Sequence, residues 1–287
     1  PPTEPVFWGS VELPADPIET DNRVFFALAR PERVRAVVAA EDRECARRIG
    51  LALAPFSTGR VEVVCANRGN IVEALSGRLA MIVMQGAPYA EAEMTALRAW
   101  AEEGTTVLWL PPVRGEGDGD GGPWGSVESS SPNPWRITVW NRRDGPLQDG
   151  ADGVPLPMDR LLVHRRRNIH RSADEHIVHA LLNDGAPLLV SRRVGRGQFY
   201  ELATLPVSDW STLGEGWVWV PLVHRMLEEG GRRWEVAETA VCGRWRPAAG
   251  EAWRPLDERE TALDPQRAGL FRWGERVVAL NRPPEED

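Results

Sequence analysis

Leu79-Ala80-Met81-Ile82-Val83-Met84, then Ala90 to Glu103, then Thr106-Val107-Leu108-Trp109-Leu110: these three neighbouring segments decide how the chain folds. The first is apolar at every position, so it has no wet face and reads as a central parallel strand buried on both sides. The second sets Met94, Leu97, Trp100 and Ala101 on one helical face and ends at Gly104, where a left-handed residue closes a helix. The third is again a short apolar strand. Strand, helix and strand at this spacing predict a right-handed crossover in a parallel sheet.

The same unit recurs upstream. Val34 to Ala40 is a β-branched run, and Glu41 to Ala54 carries Cys45, Ile49 and Leu53 on one face before Pro55. Val61 to Cys65 reads as a further strand and Ile71 to Leu75 as a short helix. The expected class is α/β, a flavodoxin-like parallel sheet with helices on both faces. Downstream, Pro111 to Pro134 is rich in Gly, Ser, Asp and Pro and reads as one long loop. Ile137 to Trp140 and Leu161 to Val163 read as strands. Ser172 to Glu175 is an S-x-x-E capping box, predicting a helix that carries Ile177, Ala180 and Leu181. Pro187 to Arg193 and Gln198 to Thr204 predict a hairpin about Gly195-Arg196-Gly197. A last helix is expected over Val218 to Glu229, with Pro221 in its first turn.

Both ends of the chain are β in character: Val6 to Leu13 and Arg23 to Leu28 at one, Trp234 to Cys242 and Gly269 to Asn281 at the other. Two strands alone cannot bury a face, so the ends are expected to pair. This predicts a discontinuous β domain of residues 1–30 and 232–287, a small sandwich-like layer, around an α/β domain of residues 31–231.

The 287 residues carry a formal net charge of −8, and all 34 basic residues are arginine. An acidic chain has no general attraction for nucleic acid or anionic lipid, which speaks against those partners. Cys45, Cys65 and Cys242 lack CxxC spacing, so neither a zinc site nor a disulfide framework is indicated. There is no apolar run of 18 residues, and the start at Pro1-Pro2-Thr3 reads as an excised piece.

The middle, Arg33 to Glu229, resembles the class I glutamine amidotransferase-like domain. More narrowly, the chain resembles the C-terminal extracytoplasmic part of aerotolerance-type (BatA-like) bacterial membrane proteins. That resemblance rests on Asp21-Asn22-Arg23 with Phe25-Phe26, on Asp184 to Val190, and on Val194-Gly195-Arg196-Gly197 with Leu202-Ala203-Thr204. Trp210-Ser211, Val220 to Arg225, Ala268 to Phe271 and Ala279-Leu280-Asn281 complete it, while Glu285-Glu286-Asp287 departs from the family's Glu-Ser-Asp ending. It implies flanking transmembrane segments, a place on the extracytoplasmic face of the inner membrane, and other envelope or membrane proteins as partners, with no reaction and no cofactor assigned.

An amidotransferase needs a cysteine on the turn after a central strand, activated by a downstream His and Glu. Aligning Val107 to Pro112 with that turn places Pro111 at the nucleophile position, and proline has nothing to attack with. Catalytic residues are therefore expected to be absent. A ligand crevice at the carboxyl edge of the sheet would be bounded by Ala40, Cys65, Gln85 and Leu110. Cys65 itself reads as a small buried hydrophobe at a strand end, Cys45 as core, and Cys242 as part of a strand. His164, His170, His176 and His179 cluster in sequence, the last two three apart on the expected helix, but no HExxH pattern supports a metal. Glu116 to Gly122 lacks the register of a calcium loop, and Arg165-Arg166-Arg167 with Arg171 reads as a solvated or partner-facing patch. Trp210, Trp217 and Trp219 read first as core and second as a hot spot. The expected function is a non-enzymatic interaction or scaffold domain. Its rivals are a small-ligand sensor using the crevice and a hydrolase or amidotransferase relative using Cys65.

Overall fold

The computed structural model describes residues 6–14, 22–30, 33–55, 59–86, 90–114, 123–150, 153–170, 176–247, 250–256 and 263–283. The chain divides into two compact units, Pro1–Glu32 with Trp234–Asp287, and Arg33–Arg233.

The chain opens with β1 (Val6–Glu12) and β2 (Arg23–Ala29), an antiparallel hairpin. The larger unit begins with β3 (Val34–Ala40), α1 (Arg43–Leu53), β4 (Val61–Ala66), α2 (Ile71–Ala74), β5 (Leu79–Gln85), α3 (Glu91–Glu102) and β6 (Thr106–Leu110). It continues with β7 (Trp124–Ser129), β8 (Trp135–Trp140), β9 (Leu162–Val163), β10 (Arg165–Ile169), β11 (Ile177–Leu182), β12 (Pro187–Val194), β13 (Gly197–Leu202) and α4 (Trp219–Gly231). The smaller unit resumes with β14 (Ala237–Val241), β15 (Arg254–Pro255), β16 (Gly269–Trp273) and β17 (Arg276–Asn281).

The main sheet has nine strands in the order β4-β3-β5-β6-β13-β12-β11-β8-β9. Strands β4, β3, β5 and β6 run parallel, as the crossovers predict, β13 joins them parallel to β6, and every residue of β5 is buried. Beyond β13 the sheet is antiparallel to its far edge. The expectation of a parallel, flavodoxin-like sheet covered by helices is therefore wrong for this chain. Among the described residues strand accounts for 41% and helix for only 22%, and the sheet is mixed. Two misread segments explain the difference. Trp124–Ser129 falls inside the expected loop but pairs with β10 as a separate ribbon. Ile177–Leu182, expected on a helix, is β11: a short apolar run does not distinguish the two periods, and the β-branched pair Ile177-Val178 favours extension. The capping box before it lies outside the described residues.

Close packing seats the helices on the sheet. A Cβ on Gly230 of α4 would lie 1.9 Å from the Ala80 carbonyl oxygen of β5, so only glycine lets helix and strand approach this closely. The β12–β13 turn at Gly195 and Arg196 lies on the end of α3, where the Arg196 N–H donates to the Glu102 carbonyl at 3.0 Å.

In the smaller unit β14, β17, β16 and β15 form a four-stranded sheet. The inner side of the β1–β2 hairpin packs Val6, Phe25 and Ala27 against Leu270, Val277 and Ala279 of that sheet. Asn281 fastens it: its Oδ1 accepts from the Phe25 N–H at 2.7 Å, and its Nδ2 donates to the Phe25 carbonyl at 2.8 Å. Its second layer buries Trp245 and Trp253 with Phe271, Val278 and Leu280.

Candidate functional site

In open α/β sheets chemistry collects at the carboxyl ends of the parallel strands. Here that edge is built by the ends of β3, β5 and β6, where Ala40, Gln85 and Leu110 stand side by side in register. Cys65 pairs with Val38 on the edge strand β4, below that row, and it is exposed rather than buried. The structure thus joins three of the four expected crevice residues and leaves the thiol apart.

The row is closed by a side chain. Gln85 is fully buried; its Oε1 accepts from the N–H groups of Glu41 and Asp42, both at 3.0 Å, and its Nε2 donates to the Pro111 carbonyl at 2.9 Å. The amide therefore ties the start of α1 to the end of β6. Gly86 follows with φ +130°, and a Cβ there would lie 2.4 Å from the Glu41 Cδ, so the Glu41 side chain lies directly on the Gly86 backbone. The Gly86 carbonyl also accepts from the Trp109 Nε1 at 3.3 Å.

Pro111 and Pro112 continue β6 and are both buried. The Pro112 carbonyl accepts from Arg167 Nε at 3.0 Å, and Arg167 Nη1 donates to the Gly125 carbonyl at 2.9 Å. Arg167 is thus an interior brace, and burial draws its guanidinium below the ordinary arginine value. Its neighbour Arg166 bonds Glu128 and Asp184 and lies over the Trp135 ring, so these two arginines of the basic run are structural. Trp109 packs edge-on against Trp124 and Phe199.

The cysteines offer no substitute nucleophile at this edge. Cys45 is in the core on α1, and burial pushes its thiol far up. Cys242 follows the end of β14 in the other unit. The histidines are not stacked on a helix. His179 is within β11, where its Nε2 meets Ser191 Oγ at 2.8 Å, whereas His176 precedes that strand and its Nε2 stands 3.8 Å from Glu201 Oε2. Among the described residues no group of three His, Cys, Asp or Glu side chains is gathered as a metal site requires. The acidic glycine-rich segment and Arg171 lie outside the described residues. Trp210 and Trp219 are core residues, while Trp217 is exposed with Arg160 over its ring.

Two buried polar pairs were not foreseen. Glu201 on β13 is 3% exposed and sits opposite Trp109; burial raises its carboxyl, with His176 and Arg192 pulling the other way. The signal was present in sequence, one acid inside the apolar run Phe199-Tyr200-Glu201-Leu202. On the other side of the sheet, Ser191 and His179 lie beside Tyr200, whose hydroxyl donates to Glu229 at 2.8 Å. Burial lowers the His179 imidazole, which keeps it neutral. Ser191 is 1% exposed in the middle of a strand, so this pair resembles a catalytic dyad in composition only.

No protein-family model matches the chain, and no curated protein matches it in sequence. Among solved structures, a cytoplasmic protein of Salmonella typhimurium superposes with a TM-score of 0.50 at 13% identity, covering 68% of this chain and 98% of that one. A second cytoplasmic protein of Salmonella typhimurium gives 0.47 at 10% identity, covering 78% and 94%. A ThuA-like protein of Bacteroides uniformis gives 0.47 at 11%, covering 69% and 93%. At these identities the likeness is one of fold alone. None of the three is described as an aerotolerance-type membrane protein. Among the described residues no helix is long and apolar enough to cross a membrane.

Proposed function

We propose that this chain is a non-catalytic interaction module, an amidotransferase-like domain whose nucleophile position is occupied by structure. The observation that carries the reading is the seal at the sheet edge. On the amidotransferase alignment Pro111 takes the nucleophile's position, and its carbonyl is taken by the Gln85 amide. A general base without a nucleophile would have to activate water, at an edge that the Gln85 amide already spans. The same seal weighs against a small-ligand sensor at Ala40, Gln85 and Leu110. An extracytoplasmic setting and envelope partners are not needed for this reading and form no part of it.

A hydrolase reading has one observation in its favour. Glu201 is a buried acid with the His176 imidazole 3.8 Å away, and a buried carboxyl raised by its surroundings is a feature that concentrates at active sites. Assays of the full chain for glutaminase, esterase and peptidase turnover separate the two. We expect rates at the uncatalysed background, unchanged by Cys65→Ser or Glu201→Gln. Turnover above background that disappears in either variant overturns the non-catalytic reading.

A further inference from the structure

The outward side of the β1–β2 hairpin is apolar from end to end. Its cross-strand pairs are Phe7 with Leu28, Gly9 with Phe26 and Val11 with Val24, and Leu13 follows. Phe7, Val11, Leu13, Val24 and Leu28 are each 54–62% exposed. The inward side of the same hairpin is already spent on the core of its own unit. An antiparallel ribbon with one buried face ordinarily turns polar residues to water on the other, so a ribbon apolar on both faces has a second surface to cover. These five side chains expose roughly 500 Å² of apolar surface, toward the upper end of the largest patch on an ordinary monomer. The other exposed large hydrophobics among the described residues lie on separate elements, Leu51 on α1, Val72 on α2 and Val139 on β8 among them.

We propose that this face is where two copies of the chain associate as a two-fold dimer. Size argues for self-association. Along the hairpin the face runs from a bulky pair, Phe7 and Leu28, through Phe26 lying across Gly9, to a slim pair, Val11 and Val24. A two-fold axis through the Gly9–Phe26 pair sets each copy's bulky pair on the other's slim pair, which is how facing layers interdigitate. Charge agrees, because none of the residues in these pairs is ionisable. Two chains of net charge −8 thus meet where neither presents a charge. Area sets the strength. Two such faces bury about 1,000 Å² together, the lower limit of specific interfaces, so association is reversible and concentration-dependent. The contact uses no residue of the sealed sheet edge and is independent of the proposed lack of catalysis.

Sedimentation of the full chain over a roughly hundredfold concentration range is the test, since that range spans a micromolar equilibrium. The expected result is a reversible monomer–dimer exchange that Val11→Glu weakens at least about tenfold, because the new carboxylate is desolvated at the contact. Val11 is exposed in the single chain, so an unchanged melting temperature certifies that this variant is folded. Leu28→Arg is expected to be monomeric alone and to form a mixed dimer with Val11→Glu. A chain that is monomeric throughout, a dimer indifferent to Val11→Glu, or a mixture that stays monomeric overturns the proposal. So does a monomer that floats with neutral lipid vesicles, since lipid would then be the occupant.

Discussion

Gln85 shows how much one buried amide can hold. It spends its carbonyl oxygen on two backbone donors and its nitrogen on one backbone acceptor, joining the residues that lead into α1 to the end of β6. Gln85→Leu keeps the volume but strands the Asp42 N–H and the Pro111 carbonyl, so a loss of about 2–3 kcal/mol is expected in denaturant unfolding. An unchanged midpoint would show that water takes the place of the amide. Glu201 works in the opposite sense. Its carboxyl is raised by burial, so the folded chain keeps a proton that the unfolded chain releases near the usual carboxylate value. Stability from this group is greatest in acid and falls as pH climbs from that value to the raised folded one. Glu201→Gln removes the titration. The variant is expected to be the more stable of the two at neutral pH and to lose that advantage in acid, below the usual carboxylate value. Melting curves of both proteins across that range check the sign, and a gain that persists in acid would assign the effect to packing.

At the scale of the element, α4 is positioned by a glycine. Gly230→Ala drives a methyl group into the Ala80 carbonyl of β5, and backbone cannot yield as a side-chain tip can. Gly231, one residue on, has its nearest neighbour at 3.9 Å, which is ordinary contact. The adjacent substitutions should therefore part: Gly230→Ala costs about 3 kcal/mol or more, whereas Gly231→Ala is neutral or gains helix propensity. Equal melting temperatures would mean that α4 lifts freely from the sheet. The elements that were legible in sequence share a reason. β5, α3 and β6 are long or wholly apolar, with Gly104 closing the helix, so period and punctuation agree. β11 was illegible because its six residues fit either period and are resolved only by pairing with β8 and β12. β7 was hidden by Gly-Ser composition, its extension set by β10 across a long sequence gap. The antiparallel half of the main sheet follows from the first of these, since β11 joins β12 to β8, while β7 adds strand outside that sheet. The sequence aligns Pro111 with the nucleophile's turn, whereas its bond to Gln85 needed the fold to be seen.

For the molecule as a whole, the smaller unit sets a problem of chain closure. Its hairpin and its four-stranded sheet come from opposite ends of the chain, and neither buries its inner face alone. The hairpin contributes Val6, Phe25 and Ala27; the sheet contributes Leu270, Val277 and Ala279. Asn281 adds a paired hydrogen bond to the Phe25 backbone, standing in for one rung of a strand ladder. Closing so long a loop costs only slightly more than closing a short one, because the entropic term grows with the logarithm of length. The apolar contact can therefore offset it. Deleting residues 1–28 removes that half of the core and leaves Leu270, Val277 and Ala279 in water. The expected outcome is faster amide exchange throughout Gly269–Trp273 and Arg276–Asn281, with binding of a hydrophobic dye to the newly exposed face. Asn281→Ala is the gentler form, leaving the Phe25 N–H and carbonyl without their partner for about 1–2 kcal/mol. Its exchange should rise in the same strands and by less. Protection in β16 and β17 that survives the deletion would mean that the sheet is stable alone and that the opening hairpin is held in place without holding anything.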